Sequence, residues 1–297
     1  MAKKHITITG DLGVGKSSVA KKLCEMLSFR YLSTGQIQRE LAKSKGMNTL
    51  ELNYYAENNS EVDKYIDDHL IKINDSEDAY VIDSRMAWFF VKNSLKIYIS
   101  AHPHIAAGRV LADMERKGEP AASDLISKSK ELLERRSVED RRFKKIYGVD
   151  CADPGNFDIV IDSSRASINE ITLLIVRLFE LSNKELPVNK YWVSPYTLLP
   201  TKEIDSLETG NDKMLKDDDV PGNDFDMNFP PEVIKYDNLY YIINGHKKVC
   251  EAINQNIALI PVKLIGYDAI HAGPEAVHLI QHWEEKLKFL FDVYPDK

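Results

Sequence analysis

Cysteine is scarce in this 297-residue chain, with Cys24, Cys151 and Cys250 far apart and odd in number. That spacing excludes a disulfide scaffold or a cysteine zinc site and suits a reducing compartment. A long apolar run is also missing. The opening MAKKHITITG passes from two lysines straight into a short strand, too short a stretch for a signal peptide or a membrane span. A cytoplasmic protein without a membrane partner is expected. Positive charge is in deficit, with 39 Lys and Arg against 46 Asp and Glu and a net charge of −7. This argues against a broad phosphate-tracking surface for nucleic acid and leaves room only for a local basic cleft. There is no internal repeat and no low-complexity tract. With 43% apolar and 29% charged residues, the composition is that of an ordinary globular protein.

What is present is alternation. His5 to Thr9 reads as a short strand, Lys16 to Ser28 as an amphipathic helix and Arg30 to Leu32 as a second strand. Helical patterns over 35–44 and 60–73 precede strands at Tyr80–Asp83 and Leu95–Ser100. Helices over 103–117 and 123–146 lead to a strand at 158–161 and a helix over 167–182. Strands separated by helices predict an α/β fold, a parallel sheet with helices on both faces. Pro187 and its polar neighbours mark a boundary, so the expected domains are 1–183 and 184–297. In the second, Tyr191–Val193 and Leu198–Pro200 are extended, and an acidic stretch over 205–229 reads as a mobile surface loop. Strands at 232–236 and 239–243 flank Asp237-Asn238 as in a hairpin. A helix over 246–256, a strand over 260–265 and a helix over 274–291 complete an α+β unit.

The first strand ends in Gly10-Asp11-Leu12-Gly13-Val14-Gly15-Lys16-Ser17, the full phosphate-binding loop pattern. Backbone N–H groups from Gly10 to Ser18 would face the phosphates of ATP. Lys16 would reach the β- and γ-phosphates and Ser17 would ligate Mg²⁺. Arg39, in the helix after Ser33-Thr34-Gly35, and Arg85, just past Val81-Ile82-Asp83, follow the carboxyl ends of strands. There they can converge on one anion beside the loop. Arg135 and Arg142 lie seven residues apart on a charged helix, so their side chains share a face.

Residues 4 to 180 resemble the cytidylate kinases, in particular their short archaeal-type branch, through ITITGDLGVGKSSVAKKL, YLSTGQIQRELA, YVIDSRMAWF, LKIYISAHPHIAAGRV, RRSVEDRRFKKIYGVD and FDIVIDSS in that order. The resemblance implies a P-loop nucleoside monophosphate kinase acting on CMP or dCMP. Ser33, Arg39 and Arg85 would hold the acceptor phosphate, Asp83 would lie near the Mg²⁺ shell, and Arg135 and Arg142 would belong to a lid. Glu139 stands where the family has an aspartate in the lid motif, with Asp140 beside it, and Ser84 stands where a glycine is usual. The choice of base rests on the resemblance alone.

Asn244-Gly245-His246-Lys247-Lys248 follows a strand and opens a helix, an arrangement that suits an anion. LLPTKEI, EVIKYDNLYYIINGHKKVCEAI and IPVKLIGYD resemble the ParB/sulfiredoxin-like fold and, within it, the free serine kinases. That family places an aspartate at position 244 and an arginine after the histidines, and of its upstream acidic pair only Glu203 keeps its character. Asparagine is no base for a serine hydroxyl, and lysine is a point charge where arginine is a fork. Two further functions for this domain stay open beside an accessory role to the kinase. One is phosphoryl transfer to serine or a serine-like group, and the other is a regulatory module binding nucleotide, nucleic acid or protein.

Overall fold

A computed structural model describes residues 4–57, 59–113, 124–201, 229–236, 238–268 and 273–286. Their contacts divide them into two compact units, parting between Val188 and Asn189. In the first, β1 (His5–Gly10), β2 (Arg30–Ser33), β3 (Tyr80–Asp83), β4 (Ser94–Ser100) and β5 (Ile159–Asp162) form parallel pairs in the order β2-β3-β1-β4-β5. The helices are α1 (Lys16–Leu27), α2 (Thr34–Ser44), α3 (Thr49–Glu57), α4 (Glu61–Lys72), α5 (Ala87–Phe90), α6 (Pro103–Ala112), α7 (Leu125–Tyr147) and α8 (Ile168–Asn183). They cover both faces of the sheet, as the alternation of strands and helices predicts.

The central strand β1 is buried throughout. Its Ile6 and Ile8 fill the core, while its threonine hydroxyls are satisfied internally, Thr9 Oγ1 donating to Ser84 O at 2.8 Å. Gly10 ends the strand at φ 149°, where a Cβ would lie 1.9 Å from Ile99 O. Only glycine lets the end of β1 lie this close to Ile99 of β4 in that conformation. Because β1 pairs with β3 on one side and β4 on the other, the strand order reverses here and opens a crevice at the carboxyl ends. Ser33 caps α2 through Gln36 N at 3.3 Å, and Asp124 caps α7 through Ser127 N at 2.8 Å.

The helix α3 is an element that periodicity does not predict. Leu50, Leu52, Tyr54, Tyr55 and Ala56 are spread around it without a single apolar stripe. The predicted helix over 103–117 ends at Ala112, with residues 114–123 outside those described.

The second unit holds β6 (Tyr191–Val193), β7 (Leu198–Pro200), β8 (Glu232–Tyr236), β9 (Leu239–Asn244), α9 (His246–Asn254), β10 (Ile260–Gly266) and α10 (Pro274–Lys286). Its sheet runs β6-β10-β8-β9-β7 and is mixed, with β8 and β9 paired as an antiparallel hairpin. Alternation along the hairpin sends Val233, Tyr240 and Ile242 toward Val249 and Ala252 of α9, and Ile234 and Tyr241 toward Ile280 of α10. Asp237, Glu203 and most of the acidic stretch lie outside the described residues.

Gly245 joins β9 to α9 at φ 90°, and a Cβ there would meet Pro231 Cα at 3.0 Å. Gly245→Ala is therefore expected to cost this unit about 1–3 kcal/mol, read as faster amide exchange in β9 and α9. Unchanged protection there would count against a strained turn.

Candidate active site

The loop from Gly10 to Ser17 lies over the crevice. Lys16 curls back across it, Nζ donating to Gly10 O at 3.1 Å and Asp11 O at 2.5 Å. Burial pushes its pKa down to about 8 against the opposing pull of Asp83, with Arg85 adding to the drop. Ser17 Oγ donates to Asp83 Oδ2 at 2.5 Å, which places two hard oxygen donors side by side at the start of α1. Gly15 opens that helix at φ 89°, and a Cβ added to it would meet nothing within 4 Å. The helix start faces open space.

Around this loop the arginines are sorted by their partners. Arg85 donates from Nη1 to Gly10 O at 2.8 Å and from Nε to Glu139 Oε2 at 2.9 Å. Arg135 donates from Nε to Glu139 Oε1 at 3.3 Å. Burial alone would raise the pKa of Glu139, but Arg85, Arg135, Arg142 and Arg136 outweigh it and bring the carboxyl down to about 2. It is an anion at any working pH. The neighbouring Asp140 instead takes Arg136, Nε to Oδ2 at 2.6 Å, so Glu139 is the carboxylate that faces the cleft.

Two hollows flank the loop. The first has a volume of about 80 Å³ and is lined by Lys16, Ser17, Ser33, Gln38, Arg39, Asp83, Arg85, Arg135 and Glu139, with the loop glycines as its wall. Arg85 Nη2 is buried with no hydrogen-bond partner among the described residues. The second, about 420 Å³, is lined by Gly13, Val14, Gly15, Ser18, Arg109, Asp113, Ala166 and Ile168. There Arg109 donates to Ser163 O at 2.6 Å and Val14 O at 3.4 Å, tying the loop to the segment after β5.

Arg142 is not at either hollow. Two helical turns carry a side chain about 10.5 Å along the axis, so sharing a face with Arg135 does not mean sharing a site. Arg142 is buried against α3 and α4, with Nη1 2.7 Å from Asn53 Oδ1 and Nη2 3.4 Å from Asp63 Oδ1.

Sequence reasoning did not find the contact that holds α7 to the loop. Arg136 Nη1 pairs with Asp11 Oδ1, Arg136 Nη2 donates to Tyr98 OH at 3.0 Å, and Tyr98 OH donates to Asp11 Oδ1 at 2.9 Å. Burial and then the Asp11 charge raise the tyrosine pKa, so it stays a donor. The available signal was the i,i+4 spacing of Arg136 and Asp140, which separates this pair from the Arg135–Glu139 pair by one step around the helix.

The Cytidylate kinase-like family matches residues 5–165. The chain belongs to this family. It is 36% identical over 172 residues to a cytidylate kinase of Sulfurisphaera tokodaii, covering 57% of this chain and 92% of that protein. It is 33% identical over 177 residues to a cytidylate kinase of Archaeoglobus fulgidus, covering 59% and 94%. Residues 166–297 lie outside the family match.

The start of α9 contrasts with that of α1. Gly245 has nearly the backbone angles of Gly15, φ 90° and ψ 22° against 89° and 15°, but its Cβ direction is closed by Pro231. His246 is buried, and its Nε2 accepts from Thr201 N at 3.3 Å. That nitrogen is unprotonated, so the ring gives an anion no donor from it. Asn244 hydrogen-bonds Glu232, and Lys248 Nζ donates to Phe229 O at 2.7 Å. Lys247 is exposed, and Glu203 lies outside the described residues.

Asp11→Ala and Arg136→Ala are each expected to destabilise the first unit. The double-mutant cycle should show a coupling of about 1–2 kcal/mol, measured by denaturant unfolding. Strict additivity would mean the pair does not hold α7.

Proposed function

We propose that the first unit is an ATP-dependent nucleoside monophosphate kinase whose acceptor is CMP or dCMP. The observation that carries this is the pair of hollows sharing the Gly13–Gly15 wall, with Lys16 and Arg85 at the border of one. The roomier hollow suits the donor nucleoside. The narrow one, lined by Ser33, Arg39, Arg85 and Arg135, suits the acceptor phosphate, and the unpartnered Arg85 Nη2 offers it a donor. At about 80 Å³ it is far below the few hundred Å³ a nucleotide-sized ligand fills. It therefore holds the phosphate end of the acceptor and not the whole nucleotide.

An acceptor phosphate is already an anion, so its oxygen attacks the γ-phosphorus of ATP without a base, and ADP leaves as the P–O bond breaks. This accords with Glu139, a cleft carboxylate too acidic to carry a proton. Glu139 instead orients Arg85 and Arg135 toward the transferred group, where their charge is worth most in a site closed to water. Ser17 and Asp83, with their oxygens adjoining, fit a hard divalent cation. Bound there, directly or through water, Mg²⁺ would neutralise the β- and γ-phosphate charge.

For the second unit we read a ParB-like accessory module, supported by the order of its segments. The buried His246 and the asparagine at 244 supply no base for a serine hydroxyl.

Across the nucleoside monophosphates, CMP and dCMP are expected to be turned over at least about tenfold better than UMP, AMP or GMP in kcat/KM. No turnover of any of them with ATP binding intact would overturn the reading. Arg135→Met should lower kcat by about 10³ in the same coupled assay.

The pH dependence follows from Lys16. Burial pushes its pKa down to about 8 from the ordinary 10.5, so it is charged below that value and loses its proton above it. Phosphate favours the charged form, so ATP affinity is expected to hold up to about pH 8 and fall beyond it. Over the same interval the nucleotide-free protein should gain stability, because the unfolded chain retains a proton that the folded one has released. Calorimetric titration of ATP into wild type and Lys16→Gln checks the first point, the variant being weak and insensitive to pH. A wild-type affinity that does not change across the interval would show that Lys16 does not meet the phosphates.

A further inference from the structure

Asn53 is wholly buried on α3, the helix that periodicity does not predict. Its side chain joins three others. Oδ1 accepts from Gln38 Nε2 of α2 at 2.9 Å and from Arg142 Nη1 of α7 at 2.7 Å, and Nδ2 donates to Glu139 Oε1 of α7 at 3.4 Å. Gln38 and Glu139 both line the narrow hollow, while Asn53 itself does not. The amide orientation is set by chemistry, since a guanidinium requires the oxygen and a carboxylate requires the NH₂.

We infer that Asn53 is a positioning residue that docks the lid helix α7 onto the acceptor-binding helices and so sets the fit of the acceptor alone. This rests on the reading of the narrow hollow as the acceptor cleft. A leucine of similar size would fill the space with no polar group to satisfy, so filling volume does not require an amide here. An aspartate would keep the two bonds to Oδ1 but set a second carboxylate against Glu139. Asparagine alone, of the three, serves Arg142 and Glu139 together. The donor hollow lies on the other side of the phosphate loop and touches none of these groups.

The test uses the full-length protein with Asn53→Leu and Asn53→Asp. For Asn53→Leu, the KM of CMP should rise at least about tenfold, the loss of a charged hydrogen bond, with the KM of ATP changed less than about twofold. ATP hydrolysis in the absence of CMP should rise relative to transfer, because a loosened α7 admits water. For Asn53→Asp, which keeps the bonds from Gln38 and Arg142 but sets a carboxylate against Glu139, the KM of CMP should also rise, with the KM of ATP again changed less than about twofold. The proposal is overturned if both KM values move together, or if the two variants only lower Tm and leave the KM of CMP unchanged. Amide exchange of nucleotide-free protein separates this from the function itself. A middle of α7 that exchanges faster in the variants, in a wild type inert toward every monophosphate, sinks the acceptor reading and leaves the docking role standing. Unchanged protection there, in an active wild type, sinks the docking role alone.

Discussion

A pocket for phosphate has to gather cations, and cations gathered without their anion repel one another. Glu139 resolves this conflict in the first unit. Its two oxygens divide between Arg85 and Arg135, one from the segment after β3 and one from α7. The carboxylate is thus both a charge balance and a tie between the segment after β3 and the helix. Guanidinium suits this better than ammonium would, because the fork can hold the carboxylate with one nitrogen and keep others for a ligand. Removing one partner of so buried a cluster would leave the others uncompensated. That is why the direction of the Glu139 pKa describes the whole site, and not one residue.

The phosphate loop extends the same logic with its own backbone. Gly10 O accepts from both Lys16 and Arg85, and Asp11 takes Arg136 and Tyr98. Two adjacent residues at the end of β1 therefore gather groups from α1, β4, α7 and the segment after β3. Gly10 makes this possible by lacking the Cβ that would strike Ile99. The geometry of β1 against β4 thereby reaches the chemistry through one residue. Lys16 is held by carbonyls, which are weaker partners than phosphate oxygens. The loop keeps the lysine in place while its charge remains available to a stronger anion.

Much of this was legible in the sequence. The glycine pattern, the strand before it and the helix after it place Lys16 and Ser17 where the structure has them, and the parallel order follows from alternating periods. Arg39, Arg85, Arg135 and Glu139 are brought to one hollow. What was not legible depends on distance along a helix and on contacts between elements. The spacing of Arg135 and Arg142 encodes a shared face but not which neighbour that face meets two turns on, and the neighbour is α3. The stretch over 49–57 carries no apolar stripe because its one buried face, Thr49, Leu52, Asn53 and Ala56, is half polar, while Tyr54 outside it is exposed. Asn53 was invisible for the same reason. A single buried amide in an unpatterned segment looks like a loop residue until its three partners are seen.

The two glycine-to-helix turns separate conformation from site. Gly15 and Gly245 share a left-handed backbone conformation at the end of a strand, and each starts a helix whose first N–H groups have no partner within the helix. At Gly15 the space ahead is open and a lysine and a serine follow. At Gly245 Pro231 fills the space, and the next residue, His246, turns inward to accept from Thr201. An anion at that second turn would favour protonation of the buried ring and so compete with the hydrogen bond that seats it. The motif alone predicts phosphate affinity at both places, whereas the neighbours of the two turns differ. Strand–glycine–helix is thus not by itself the mark of a ligand site, because the same backbone turn stands open at Gly15 and packs on Pro231 at Gly245.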